Sequence, residues 1–240
     1  VGCIENFIQG KQPPWSDDRY NTPKYLELAL NNGVCMQTGA CLGPETGNPA
    51  GFKSMEDVLG AFIRQMEQGA SEYMARFRNE NERYNKTAYS QPFLSCFCGD
   101  CIERGLDIND GGAVYPSVHG AAAMGIATVA DSLAAIEDVV FREKAVTLEE
   151  LCAALKADFV GFESLRSRLI NAPKYGNNDD FVDKYAVWFV TAHNDVFSKY
   201  KTWDDGAIYI AIASNVSNIP AGREVAATPA EVRKIAEKMG

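Results

Sequence analysis

Residues 207–213 read Ala-Ile-Tyr-Ile-Ala-Ile-Ala, seven consecutive apolar residues bounded by Gly206 and Ser214. So short a run suits a strand covered on both faces, and the rest of the chain must supply that cover. It does so mainly with helical patterns. Ser54 followed by Asp57 is a capping signature, and Val58, Phe62, Met66, Tyr73 and Phe77 then keep helical spacing to about Asn79. Thr22-Pro23 predicts a short helix ending near Gly33. Residues 129–141 predict another, with Leu133, Ile136 and Val140 on one face, and Thr147 with Glu150 forms a capping box ahead of Leu151 and Leu155. Residues 179–200 form a further helix carrying Val182, Tyr185, Phe189 and Val190. Residues 94–97 predict a short buried strand and 111–118 an extended turn and strand, while 1–21 and 39–53 read as loops. Helices alternating with a few short strands predict a helix-rich α/β architecture in which loops at strand ends carry the site.

With 46% hydrophobic residues in 240, the chain can bury a sizeable core. Its net charge of −9, without a basic patch, disfavours nucleic acid and anionic membranes as partners. No apolar run approaches the ~20 residues of a membrane helix, so the expectation is a soluble, cytoplasmic chain. It opens on Val1 rather than Met, as a segment of something longer would. Seven cysteines, an odd number in a chain too large to need stapling, argue against a disulfide framework and for a reducing compartment.

Cys3 and Glu5 stand two apart in a glycine-flanked, non-helical stretch, which puts a thiol and a carboxylate on one face of an extended loop. From spacing alone they are either a reactive thiol with its own acid or base, or a small buried thiol beside a solvated carboxylate. Cys96, Cys98 and Cys101 have metal-like spacing but no nearby fourth ligand, so small buried thiols are expected. His119 and His193 have no carboxylate at ligand spacing, which leaves core or surface roles. Asp179-Asp180 and Asp204-Asp205 sit where carboxylates complement backbone N–H groups at helix or turn starts. Gly111-Gly112 lacks the third glycine of a phosphate cradle.

Longer blocks say more. Gly2-Cys3-Ile4-Glu5, Trp15-Ser16-Asp17, Pro92-Phe93-Leu94-Ser95, and the run from Asp100-Cys101-Ile102-Glu103-Arg104-Gly105 through Gly111-Gly112-Ala113-Val114-Tyr115 resemble the glycyl radical enzymes, the family containing pyruvate formate-lyase. So do Ala130-Asp131-Ser132-Leu133-Ala134-Ala135-Ile136, Lys174-Tyr175-Gly176-Asn177, and Gly222-Arg223 with Ala227-Thr228-Pro229, in the family's order over nearly the whole chain.

The resemblance implies a fold, part of a ten-stranded β/α barrel, with residues 1–229 forming its second part from the cysteine loop onward. It also implies that Cys3, as a thiyl radical, takes a hydrogen atom from a substrate carbon and returns one. Ile4 stands where pyruvate formate-lyase has a second cysteine, which disfavours acyl transfer. The Gly-Cys-x-Glu form resembles the eliminating, dehydratase branch, in which Glu5 matches the general base. Decarboxylation of arylacetates and addition to fumarate stay open. Ser16, Asp17 and Tyr20 match positions of substrate-contacting groups, Asp17 suiting a hydroxyl or ammonium, although Trp15-Ser16-Asp17-Asp18 also reads as a polar turn.

By the same resemblance no cofactor is bound. A glycyl radical is expected on a missing C-terminal domain, installed by an S-adenosylmethionine iron-sulfur activating enzyme. Expected partners are that enzyme, a small-molecule substrate, the missing parts of the barrel and, when complete, a second copy in a homodimer. The family's Asp-Gly-Arg is replaced by Ala230-Glu231-Val232, so residues 230–240 predict a divergent terminal helix, and Gly240 is not assigned the radical.

Overall fold

The computed structural model describes residues 7–13, 16–83, 90–212 and 216–230, without the side chains of Ser16 and 78–83. Cys3, Glu5 and all but the first residue of the expected terminal helix 230–240 therefore lie outside the described residues. Three strands, β1 (Ser16–Asn21), β2 (His119–Met124) and β3 (Ile208–Ile212), pair in the order β1-β2-β3. The helices are α1 (Thr22–Ala29), α2 (Met55–Arg83), α3 (Pro92–Ser95), α4 (Cys101–Arg104), α5 (Ile126–Ile136), α6 (Leu148–Lys156), α7 (Glu163–Asn171), α8 (Asp180–Phe197) and α9 (Asn218–Arg223). The class is mixed α/β and rich in helix.

The chain divides into two compact units. One takes in the described residues of Val1–Arg19, Ala70–Ala122 and Asn194–Ala211. Within it, Phe197 packs edge-on to Tyr73 at 5.5 Å and Phe77 stacks on His119 at 3.8 Å. Between α3 and β2 the backbone is held by side chains rather than by a ladder. Asp107 accepts hydrogen bonds from the Gln91 N–H and the Ser95 hydroxyl, and Arg104 donates to the carbonyls of Gly111 and Ala113. Gly112 has to be glycine, because a Cβ there would lie 2.3 Å from the Leu106 carbonyl oxygen.

The other unit takes in the described residues of Tyr20–Gly69, Ala123–His193 and Ile212–Gly240. Pro23 in the first turn of α1 and the Thr147–Glu150 capping box of α6 start these helices as the sequence predicts. α5 continues into a π-helical turn, Glu137–Arg142. There Glu137 accepts from Lys184 at 2.5 Å and Tyr185 at 2.7 Å. Asp131 accepts from the Tyr175 N–H at 2.7 Å, joining two blocks far apart in sequence. Burial raises the Asp131 carboxyl above its ordinary value, against the Tyr175 N–H and Lys174.

Four expectations are corrected. Residues 94–97 are not a strand: Pro92 opens the helical turn α3, and Phe93 and Phe97 are exposed and pack edge to face. The strand expected within 111–118 begins only at His119, because Asp107 and Arg104 fix the preceding backbone in turns. Residues 16–21, read as loop, form β1; polar Ser-Asp-Asp-Arg gave no apolar alternation there. The 207–213 run forms β3 but is not covered on both faces. Ile208 is buried, Ile212 is exposed, and β3 stands last in the strand order, whereas central β2 is buried throughout.

Candidate functional site

The segment that leads from the Cys3–Glu5 loop into β1 is fixed by its main chain. Gly10 accepts from the Gly99 N–H at 2.7 Å, and Lys11 accepts from the Tyr115 N–H at 2.9 Å. Gln12 receives the Ile8 N–H on its side-chain oxygen and donates to the Pro116 carbonyl. Gly99 and Tyr115 belong to the sequence blocks singled out above, so those blocks hold the entry to β1.

Asp17 and Asp18 follow at the start of β1, where successive side chains point to opposite faces. Asp17 is half-buried. The Asp18 carbonyl is gripped from within the unit by Tyr73, whose hydroxyl lies 3.0 Å from it, 2.7 Å from His119 Nε2 and 3.2 Å from the Gly120 carbonyl. One phenol thus ties β1 to β2. Burial, reinforced by the charges of Asp18 and Asp17, raises the Tyr73 hydroxyl far above its ordinary range. Burial lowers His119 to about 4, although Asp18 pulls the other way, so the imidazole is neutral near pH 7.

Tyr20 is 1% exposed, and its hydroxyl donates to the Met66 carbonyl at 2.5 Å. It stacks on Tyr25 at 4.5 Å, which engages it within the fold. The backbone of Ser16 opens β1. Four residues beyond Asp17 on the same strand, Asn21 lines a cavity of about 160 Å³ with Pro23, Gly125, Thr128, Gly222 and Thr228. Its walls include the family-like Gly222 and Thr228, but none of the predicted site residues.

Both histidines are buried, His119 at 2% and His193 with no exposure. Cys98 and Cys101 pack with Ile108 and Ala113, while Cys96 is exposed. Among the described residues no group of three or more His, Cys, Asp or Glu side chains converges as metal ligands do. Asp204 receives the Ser117 N–H at 2.7 Å and the Ser117 hydroxyl, fastening the approach to β2 to the turn before β3. Sequence reasoning missed Tyr73 as a clamp, because nothing marks which residue of an amphipathic helix will meet a strand carbonyl.

The sequence pattern of the family described as "Pyruvate formate lyase-like" matches residues 1–222. The chain is 35% identical over 226 residues to (2S)-3-sulfopropanediol dehydratase of Klebsiella oxytoca, covering 92% of this chain and 27% of that enzyme. It is 32% identical over 233 residues to trans-4-hydroxy-L-proline dehydratase of Clostridioides difficile, covering 95% and 29%. In structure it is similar to the glycerol-bound, B12-independent glycerol dehydratase of Clostridium butyricum. That match has a TM-score of 0.90 and 30% identity, over 96% of this chain and 29% of the other. The chain spans less than a third of the length of each relative.

Proposed function

Since the chain belongs to the pyruvate formate lyase-like family, we propose that it is the catalytic-cysteine segment of a glycyl radical lyase of the dehydratase type. The observation that carries this reading is similarity over more than nine-tenths of the chain to enzymes named dehydratases, together with Gly2-Cys3-Ile4-Glu5 at its start. The relatives' names point to a small hydroxylated molecule as the class of substrate.

In this proposal the segment supplies part of a ten-stranded barrel, completed by chain beyond these residues and doubled as a homodimer. Cys3 removes and later returns a hydrogen atom at a substrate carbon. Glu5 takes the proton of the adjacent hydroxyl as the neighbouring group departs, work that suits a carboxylate in a cavity closed to water. Asp17, with Ser16, holds substrate polar groups on β1, and Tyr20 braces that strand from within. A glycyl radical on a separate segment, installed by an S-adenosylmethionine iron-sulfur activating enzyme, would supply the hydrogen-atom acceptor for the Cys3 thiol.

The test uses the complete protein carrying this segment, activated anaerobically and offered diols and hydroxylated amino acids. Dehydrated product from the parent, none from Cys3→Ala, and an intact radical signal with turnover lowered about 100-fold or more in Glu5→Gln support the assignment. Turnover that survives Cys3→Ala removes it. Carbon dioxide from an arylacetate instead would move the enzyme to the decarboxylating branch.

A further inference from the structure

The residues around Cys35 form a charged cluster that the proposed chemistry leaves unused. Lys24 on α1 has its ammonium 3.0 Å from Cys35 Sγ, 2.8 Å from Glu27 Oε1 and 2.9 Å from the Glu224 carbonyl. Glu27, 4% exposed, also accepts from the N–H groups of Met36 and Ala226, each at 2.8 Å. Gln37 donates to the carbonyls of Arg223 and Val225. One node thus joins α1, the turn around Cys35 and residues 223–226, all within a single unit.

Burial by itself would raise the Cys35 thiol. The Thr38 hydroxyl, the Lys24 ammonium and the N–H groups of Thr38 and Gln37 together outweigh it and hold the thiol below its ordinary value. The other buried thiols behave in the opposite way: burial raises Cys101, and it pushes Cys152 up to about 12. Cys35 is 3% exposed, yet the residues that cover it, 37–40, are themselves exposed. A peroxide molecule needs only that one turn to open.

We propose that Lys24 and Cys35 are a peroxide-responsive modification site at which the two side chains become joined by a sulfur–nitrogen bond. The Cys35 thiolate attacks one oxygen of hydrogen peroxide. The S–O bond forms, the O–O bond breaks, sulfur is oxidised by two electrons to sulfenic acid, and hydroxide leaves. Hydroxide takes a proton from the Lys24 ammonium and becomes water. The freed amine attacks the sulfenic sulfur, the N–S bond forms, the S–O bond breaks and a second water departs. Thiolate, ammonium and peroxide thus become a sulfenamide and two waters, with charge and atoms balanced. The bond removes the positive charge that faces Glu27 and occupies the nitrogen that holds the Glu224 carbonyl, so oxidation loosens residues 223–226.

The site is tested on the 240-residue chain, prepared reduced and given sub-stoichiometric hydrogen peroxide, with peptide mapping of the products. The expected species is a cross-linked peptide containing Lys24 and Cys35, about 2 Da lighter than the reduced pair, resistant to trypsin at Lys24 and reversed by dithiothreitol. Cys35 should react about tenfold faster than Cys101 or Cys152. In Lys24→Met the reaction should stop at a sulfenic acid that dimedone traps. Backbone hydrogen exchange at residues 223–226 should quicken in the oxidised parent. Cys35 oxidised without linkage to Lys24 in the parent, a Cys35–Cys41 disulfide instead, or Cys35 left reduced while Cys41 and Cys96 oxidise would each overturn the proposal. The cross-link is read on the parent chain, so the outcome does not depend on whether Lys24→Met folds.

Discussion

Two buried polar nodes, one in each unit, respond to desolvation in opposite ways. At Tyr73 and His119 the partners are a phenol, an imidazole and backbone carbonyls, and burial wins: both groups are held neutral. At Lys24, Glu27 and Cys35 the partners include a cation and a carboxylate 2.8 Å apart, and the thiol is drawn toward its charged form despite burial. Burial therefore does not set the charge of a group; the number and sign of donors around it do. A neutral node costs little when one bond is lost, whereas a charged one leaves an uncompensated ion.

The largest test of that contrast is Glu27→Ala, which strips the Lys24 ammonium and two buried N–H groups of their acceptor at once. We expect a loss of about 4 kcal/mol in urea unfolding, and a loss under 1 would show that water reaches this node freely. Next comes pH. The native state holds His119 at about 4 against an ordinary 6.5, so between these values the unfolded chain binds a proton that the folded chain refuses. His119's contribution is complete above pH 6.5 and is lost as pH falls toward 4, up to about 3 kcal/mol. His119→Gln should flatten this part of the pH–stability curve, and an unchanged slope would assign it to carboxylates instead. Tyr73→Phe removes a hydroxyl shared by three neutral neighbours and should cost about 2 kcal/mol. It should also quicken exchange at the amides of β1 while leaving α6 unchanged. Smallest is Thr147→Ala, a cap at an exposed helix start where water can replace the lost bond. A fall of about 1 kcal/mol in thermal or urea unfolding is expected.

What could be read from the sequence follows the range of the interactions. The capping box of α6 and the proline start of α1 are local, and Thr147, Glu150 and Pro23 announce them. Asp179 receives the Phe181 N–H and Asp204 the Ser117 N–H, as acidic residues at helix and turn starts should. Residues 94–97 failed because four apolar residues fit a helical turn as well as a strand, and Pro92 settles the choice through its fixed φ. The exposure of β3 failed for another reason: which strand stands in the middle of a sheet is decided by pairing with residues 85 or more positions away. At the site, Asp17 was found through its block. Tyr73 and Cys35 were not, since each acts through partners that only the fold brings near.

The clamp at Tyr73 also fixes something that heavy atoms do not reveal. A phenol owns one hydrogen, yet His119 Nε2 and the carbonyls of Asp18 and Gly120 all stand within 3.2 Å of its oxygen. If Nε2 were bare, that hydrogen would have three claimants. With a hydrogen on Nε2, the imidazole donates to the phenol and the phenol remains free to donate to a strand carbonyl. The fold therefore selects a tautomer of a neutral ring as well as a rotamer, and the nitrogen-15 shift of Nε2 should be that of a protonated nitrogen at pH 7.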